Sequence, residues 1–265
     1  ALADFTDPAG VRRRFEFPVP VVEVIAPPTA TRTAPPIATA TPSFTPPPTP
    51  TPAPVYLPLL LREMCTPEQR RVDVVLVLDG SLSMLEPADL GSAQTKLDAA
   101  REAARSFLDA LRLDQGDQAA IVAFNAQAAL FTGLTADRFA LDSALASITS
   151  AQQTCIVCGM ATGASELAST RSRVANAPVL ILLTDGRSNP QPVTEAVARA
   201  AEAKAAGIRI YTIGLGADLD EAALREMASG PSLYFQAPTA QELAGIYREI
   251  AVDIPCPAGA FWGGR

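Results

Sequence analysis

Asp79, Ser81 and Ser83 are the residues whose types and spacing first suggest chemistry. They close the stretch VDVVLVLDGSLSM (72–84), in which an apolar run stops at an acid and serines follow at every second position. An acid beside two hydroxyls invites a nucleophile reading. The chain contains no histidine, however, which excludes Ser-His-Asp and Cys-His catalysis and any His-ligated zinc. Its only lysines are Lys96 and Lys204, which leaves little for Schiff-base or P-loop chemistry. What remains is coordination. Hydroxyl and carboxylate oxygens without nitrogen or sulfur are hard ligands, suited to Mg²⁺, Mn²⁺ or Ca²⁺ rather than zinc. A second apolar run, APVLILLTD, also ends in an acid, Asp185. If the two runs are neighbouring strands their carboxylates converge, and two anions there repel unless a cation sits between them.

The elements needed to position these residues are legible from residue 71 onward. RVDVVLVLD, APVLILLTD and IRIYTIGLG read as continuous buried strands, and QAAIVAFN with AALFTGL as two short strands close enough for a hairpin. Between them lie helical patterns at 95–113, 136–148, 159–175, 192–206 (stopped by Gly207), 219–228 and 239–253, with a short strand LYFQ before the last. In the first, Leu97, Ala100, Ala104, Phe107, Leu108 and Leu111 share one stripe. Repeated alternation of apolar strands and helices predicts an α/β, doubly wound and mostly parallel sheet with helices on both faces. In such sheets sites form outside the carboxyl ends of the strands, where the strand order reverses.

The first quarter of the chain is different. Residues 26–61 carry one charge, Arg32, and are dense in proline, threonine and alanine. Proline removes backbone donors and fixes φ, so this stretch predicts an extended stalk or linker rather than helix or central strand. Before it, Phe15, Phe17, Val19 and Val21 alternate as in a strand, with Pro18 and Pro20 on the opposite parity. One edge of such a strand can pair, which suggests docking by strand addition on this domain or on a partner. With a net charge of −7 and a pI near 4.7, nucleic acid is excluded as a partner, Arg12–Arg14 being a local patch. No apolar run reaches the ~18 residues that span a bilayer.

DGSLS resembles the Asp-x-Ser-x-Ser motif of von Willebrand factor type A domains, the integrin I-like fold, where it forms the metal-ion-dependent adhesion site. TCIVCGM is similar to the family's threonine-bearing loop and makes Thr154 the matching residue; LLTDGRSN is similar to its Thr-Asp-Gly segment and gives Asp185. The resemblance implies a cation, Mg²⁺ with Mn²⁺ or Ca²⁺ as alternatives, held by Asp79, Ser81, Ser83, Thr154 and Asp185. It implies direct ligation by Ser81 and Ser83, and by Thr154 directly or through water. Asp79 and Asp185 would act mainly through waters and hydrogen bonds. A carboxylate from a protein partner would then complete the octahedron. Glu86 and Asp89, in the long loop MLEPADLGSAQ, are candidate partner contacts against a default of solvated loop acids.

Four cysteines allow three pairings. Cys65 stands just before the first core strand and Cys256 just after the last helical pattern. A bridge between them would fasten the ends of a domain, worth about 5 kcal/mol in the chain-entropy view, and would place the chain in an oxidising, extracellular or cell-surface setting. For Cys155 and Cys158 the alternatives are a short structural disulfide, two free thiols, or a redox pair. The expected organisation is an extended arm with a docking strand (1–25), a Pro/Thr-rich stalk or linker (26–64), the von Willebrand factor type A-like domain (65–257) and a tail (258–265). The expected role is metal-dependent adhesion, a binding activity and not an enzyme. Two rivals stand beside it. One is a structural subunit of a surface filament or layer that contacts neighbouring subunits through residues 11–61. The other is an Mg²⁺-dependent phosphotransferase, which would want Asp-x-Asp and a reachable lysine where this chain has Asp79-Gly80-Ser81.

Overall fold

In the computed structural model the chain divides into two compact units, Ala1–Leu57 and Pro58–Arg265. The structure describes residues 2–6, 12–16, 71–89 and 91–253. Within the first unit, β1 (Leu2–Thr6) and β2 (Arg12–Glu16) pair antiparallel, with Leu2 opposite Glu16 and Thr6 opposite Arg12. The sequence reading runs a strand through Phe15–Val21 with no sheet of its own; the described strand lies earlier and has β1 as its partner. LADFT carries too short an apolar pattern to announce itself as that partner. Phe17 to Val21, the segment 26–64, Cys65, Cys256 and the tail lie outside the described residues.

The second unit is built on β3 (Val72–Asp79), whose eight residues are all buried. A strand covered on both faces needs apolar side chains at every position, and VDVVLVLD supplies them except at its two acids. The sheet order is β5-β4-β3-β6-β7-β8, with β4 (Gln118–Phe124), β5 (Ala128–Thr135), β6 (Ala177–Thr184), β7 (Arg209–Leu215) and β8 (Tyr234–Ala237). All neighbours are parallel except the β4–β5 hairpin. The chain leaves β3 toward β4 and later returns to lay β6 on the other side, so the order reverses between β3 and β6. That is the doubly wound, mostly parallel α/β fold expected.

Among the described residues six α-helices cover the sheet: α1 (Lys96–Ala110), α2 (Arg138–Ser147), α3 (Ile156–Leu167), α4 (Val193–Ala205), α5 (Glu221–Met227) and α6 (Ala240–Asp253). α1 packs with α2 and α6, while α3, α4 and α5 form the other contiguous layer. α1 starts where Thr95 and Asp98 cap each other: the Asp98 amide donates to Thr95 Oγ1 (3.1 Å) and the Thr95 hydroxyl donates to Asp98 Oδ2 (2.8 Å). It stops at Ala110, short of residue 113, because a 3-10 turn at Leu113–Gln115 and a left-handed Gly116 redirect the chain into β4. α3 begins three residues earlier than its apolar pattern suggests and ends at Leu167. The Cys155 sulfur accepts from the Cys158 amide (3.2 Å) and so caps the helix directly behind Thr154.

α3 lies unusually close to the sheet because two glycines one turn apart face it. A Cβ on Gly159 would sit 2.7 Å from Phe124 Cδ1 and 2.9 Å from Val77 Cγ1, and one on Gly163 would sit 2.8 Å from Val77 Cγ2. These neighbours belong to buried strands and cannot swing aside. Gly163→Val should therefore lower the unfolding free energy by about 3 kcal/mol, measured by denaturant titration. A loss below about 0.5 kcal/mol would show that α3 can lift from the sheet at little cost.

Candidate metal centre

β3 carries a buried acid at each end, and the two have opposite fates. At the start, Asp73 is consumed by structure: it accepts from the Arg173 amide (2.6 Å) and from Asn176 Nδ2 (2.6 Å). At the end, Asp79 meets the loops at the order reversal. Its Oδ1 accepts from the Ser81 amide (2.8 Å) and its Oδ2 from the Thr184 hydroxyl (2.5 Å). Gly80 makes this turn feasible: its amide continues the β3–β4 ladder to Phe124 O (2.7 Å), and a Cβ would press on the carbonyls of Phe124 and Thr149 at 3.3 Å.

Ser81 precedes a 3-10 turn, Leu82–Leu85, yet its side chain does not cap it. The Ser81 and Ser83 oxygens lie 2.9 Å apart, and Ser83 Oγ donates to Asp185 Oδ1 (2.7 Å). A hydroxyl has one proton, so Ser81 is the donor between the serines and the chain runs Ser81 to Ser83 to Asp185. The other oxygen of Asp185 accepts from Lys96 Nζ (2.9 Å), and the same ammonium reaches Glu86 Oε2 (2.7 Å). The carboxylate of Asp185 is fully buried, whereas Glu86 faces solvent.

Two backbone bridges bring in the third segment. Ser81 pairs with Ala151, and Thr154 pairs with Asn189, four residues beyond Asp185, through N–H···O bonds of 2.9 and 3.0 Å. Thr154 is buried and placed by its backbone; its hydroxyl takes no part in the chain of bonds from Ser81 to Asp185. Gln153 before it has φ 73°, a left-handed conformation costly for a side-chain-bearing residue. Directly after it, Cys155 and Cys158 are joined in a disulfide across the first turn of α3, with Cα atoms 5.3 Å apart.

Five of the residues singled out from sequence thus lie around one rim: Ser81, Ser83 and Asp185 are linked by side chains, Asp79 joins them through the Ser81 amide, and Thr154 is placed by its backbone. Glu86 pairs with Lys96 while its side chain stays largely exposed to solvent. Asp89 accepts from the Ala240 amide (3.3 Å) at the start of α6 and does not join the cluster. Lys96 and Thr184 are the participants that sequence reasoning missed. A lysine at the first position of a helix, where a cation opposes the dipole, was the available signal. A lysine therefore does reach the site, but it is a charged donor to two carboxylates. Partial burial works against its charge, yet Asp185 and Glu86 outweigh this and hold its pKa above the ordinary lysine value. Asp79-Gly80-Ser81 stands where a phosphotransferase would want Asp-x-Asp.

The sequence profile of the von Willebrand factor type A domain matches residues 73–249, more than half of the chain. The chain belongs to this family. A UPF0353 protein of Nocardia farcinica (strain IFM 10152) is 27% identical over 223 residues, covering 70% of this chain and 64% of that protein. Proximal thread matrix protein 1 from the mussel byssus, solved with a zinc-occupied MIDAS motif, superposes on the domain with a TM-score of 0.58 at 22% identity, covering 69% of this chain and 46% of that one. The vWF domain of the type V pili tip protein Mfa5 from Porphyromonas gingivalis gives 0.59 at 17%, covering 70% and 95%. At these identities the two structures share the fold. The chain spans under two thirds of the length of the Nocardia relative and about half of the byssus protein.

In the von Willebrand factor type A domain described here, Asp79 is strongly altered by its surroundings. Burial drives its pKa up to about 6, against the lowering hydrogen bonds from Thr184 and Ser81, and the nearby charge of Asp185 adds to the rise. The folded carboxyl therefore holds a proton that the unfolded chain releases near 3.8. Its contribution to stability is present below 3.8 and is lost as pH rises toward 6. In chelator, wild type should lose on the order of 2–3 kcal/mol relative to Asp79→Asn across that window, read from paired denaturation curves. A difference that stays constant with pH would remove Asp79 as the titrating group.

Proposed function

We propose that this domain is an extracellular or cell-surface, metal-dependent protein-binding module. Asp79, Ser81, Ser83, Thr154 and Asp185 would hold Mg²⁺, with Mn²⁺ or Ca²⁺ as alternatives, and a carboxylate of a protein partner would complete the coordination. The observation that carries the reading is the hydrogen-bonded run Ser81–Ser83–Asp185 beside buried Asp79. These are oxygen ligands gathered from two adjacent parallel strand ends, with Ser81 free of any capping duty. Such a donor set suits a small hard cation. Among the described residues no group of three His, Cys, Asp or Glu side chains is placed to hold a metal.

When bound, the cation would supply a Lewis-acidic site for an anionic oxygen. The protein's part is to hold the two serine hydroxyls toward it and to keep both carboxylates in hydrogen bonds, so that their charge neutralises the cation less completely. Leu82 and Leu85, on either side of Ser83, are about half exposed and offer the partner an apolar rim. The absence of histidine and the protonated state of Lys96 speak against turnover, and support a binding module over an enzyme. Family relatives solved as pilus and byssus proteins support adhesion or matrix assembly. Under this reading residues 1–25 form an arm, 26–64 a Pro/Thr stalk and 65–257 the adhesive domain, with Cys65 bridged to Cys256. The alternative role, a structural subunit of a surface filament or layer, draws on the same stalk and on the arm.

Mg²⁺ should raise the melting temperature of wild type in proportion to the logarithm of its concentration, and chelator should reverse the rise. Ser81→Ala and Ser83→Ala should melt at the same temperature with and without Mg²⁺ while keeping the wild-type circular dichroism. Equal Mg²⁺ stabilisation of wild type and both alanine variants would exclude this centre.

A further inference from the structure

Asp185 is a shared group: one oxygen serves Ser83 and the other is held by Lys96 at 2.9 Å. Lys96 is the first residue of α1, where a positive charge opposes the helix dipole. Helix stability therefore gives no reason for a lysine there. Its side chain is only 16% exposed, so most of it lies under the surface with its ammonium between a buried carboxylate and Glu86, which is 65% exposed.

We propose that Lys96 sets the residual charge of the centre, weakening its hold on the cation and strengthening its hold on a partner's carboxylate. This rests on the metal-dependent reading above. Near neutral pH the carboxylates of Asp79 and Asp185 balance a divalent cation, and Lys96 leaves the loaded centre with one positive charge in excess. Glu86, on the solvent side, offsets part of that excess through a higher effective dielectric. Without Lys96 the empty centre is more negative and grips a cation harder, while the loaded centre has no positive excess and attracts an anion less. The two effects have opposite signs. A lysine kept only to position Asp185 would move both in the same direction when removed, since a misplaced carboxylate weakens cation and anion together.

The test uses Mn²⁺ as probe, with free ion read by electron paramagnetic resonance, and acetate as the anion, read by its effect on water-proton relaxation of the Mn²⁺-loaded chain. Lys96→Met should bind Mn²⁺ about tenfold more tightly than wild type, and Lys96→Arg within about twofold. Glu86→Gln should bind Mn²⁺ about threefold more weakly. Acetate should be needed at several-fold higher concentration in Lys96→Met and at lower concentration in Glu86→Gln. Weaker or unchanged Mn²⁺ binding in folded Lys96→Met, or cation and acetate affinities that shift together, would overturn the proposal. Should Lys96→Met fail to fold, Glu86→Gln carries the test alone, since its exposed side chain tolerates change and its expected shifts run the other way. No Mn²⁺ binding by wild type would instead overturn the metal centre itself.

Discussion

Two carboxylates delivered by adjacent parallel strands to one buried edge are the constraint around which this domain is arranged. A buried carboxylate needs hydrogen-bond donors facing it, and at Asp79 burial raises the pKa in spite of them. The structure answers with hydrogen-bond donors from four places: the Ser81 amide, the Thr184 hydroxyl, the Ser83 hydroxyl and the Lys96 ammonium. Gly80 is needed so that the first donor can turn back, and the β3–β6 pairing is needed so that the second lies within reach. The close seat of α3 on the sheet through Gly159 and Gly163 then brings the Thr154 loop down to the same edge.

Much of this was legible in the sequence. Strands β3 and β6 announce themselves as uninterrupted apolar runs, and a run that stops at an acid marks the edge where the core ends. Asp79, Ser81, Ser83 and Asp185 follow from that pattern, and the fold class from the alternation of elements. Lys96 did not, because the loop between Met84 and Thr95 has no period from which its path could be read. A side chain seventeen residues from Asp79 in sequence is brought back only by tertiary structure. The start of α3 was misplaced for a related reason: its cap is a sulfur, and cysteine is not among the residues whose short oxygen side chains advertise a helix start.

Asp73 and Asp79 illustrate how little residue type alone decides. Both are aspartates of the same strand, both fully buried. Asp73 is met by donors from the segment just before β6 and closes the sheet's bottom edge; Asp79 is met by the Ser81 amide and the Thr184 hydroxyl, beside the serine hydroxyls of the loop after β3. The difference lies in which end of a parallel sheet each occupies. Crossover helices begin at the carboxyl ends, so the loops there are the ones free to gather polar groups from distant parts of the chain.

The cluster draws on the loops after β3, before α3 and after β6, which lie about 70 and 30 residues apart in the chain. A fragment ending before Asp185, or one beginning after Ser83, lacks an essential part of it. The cluster is therefore complete only in a chain that has closed its sheet, and its integrity reports on the whole domain at once.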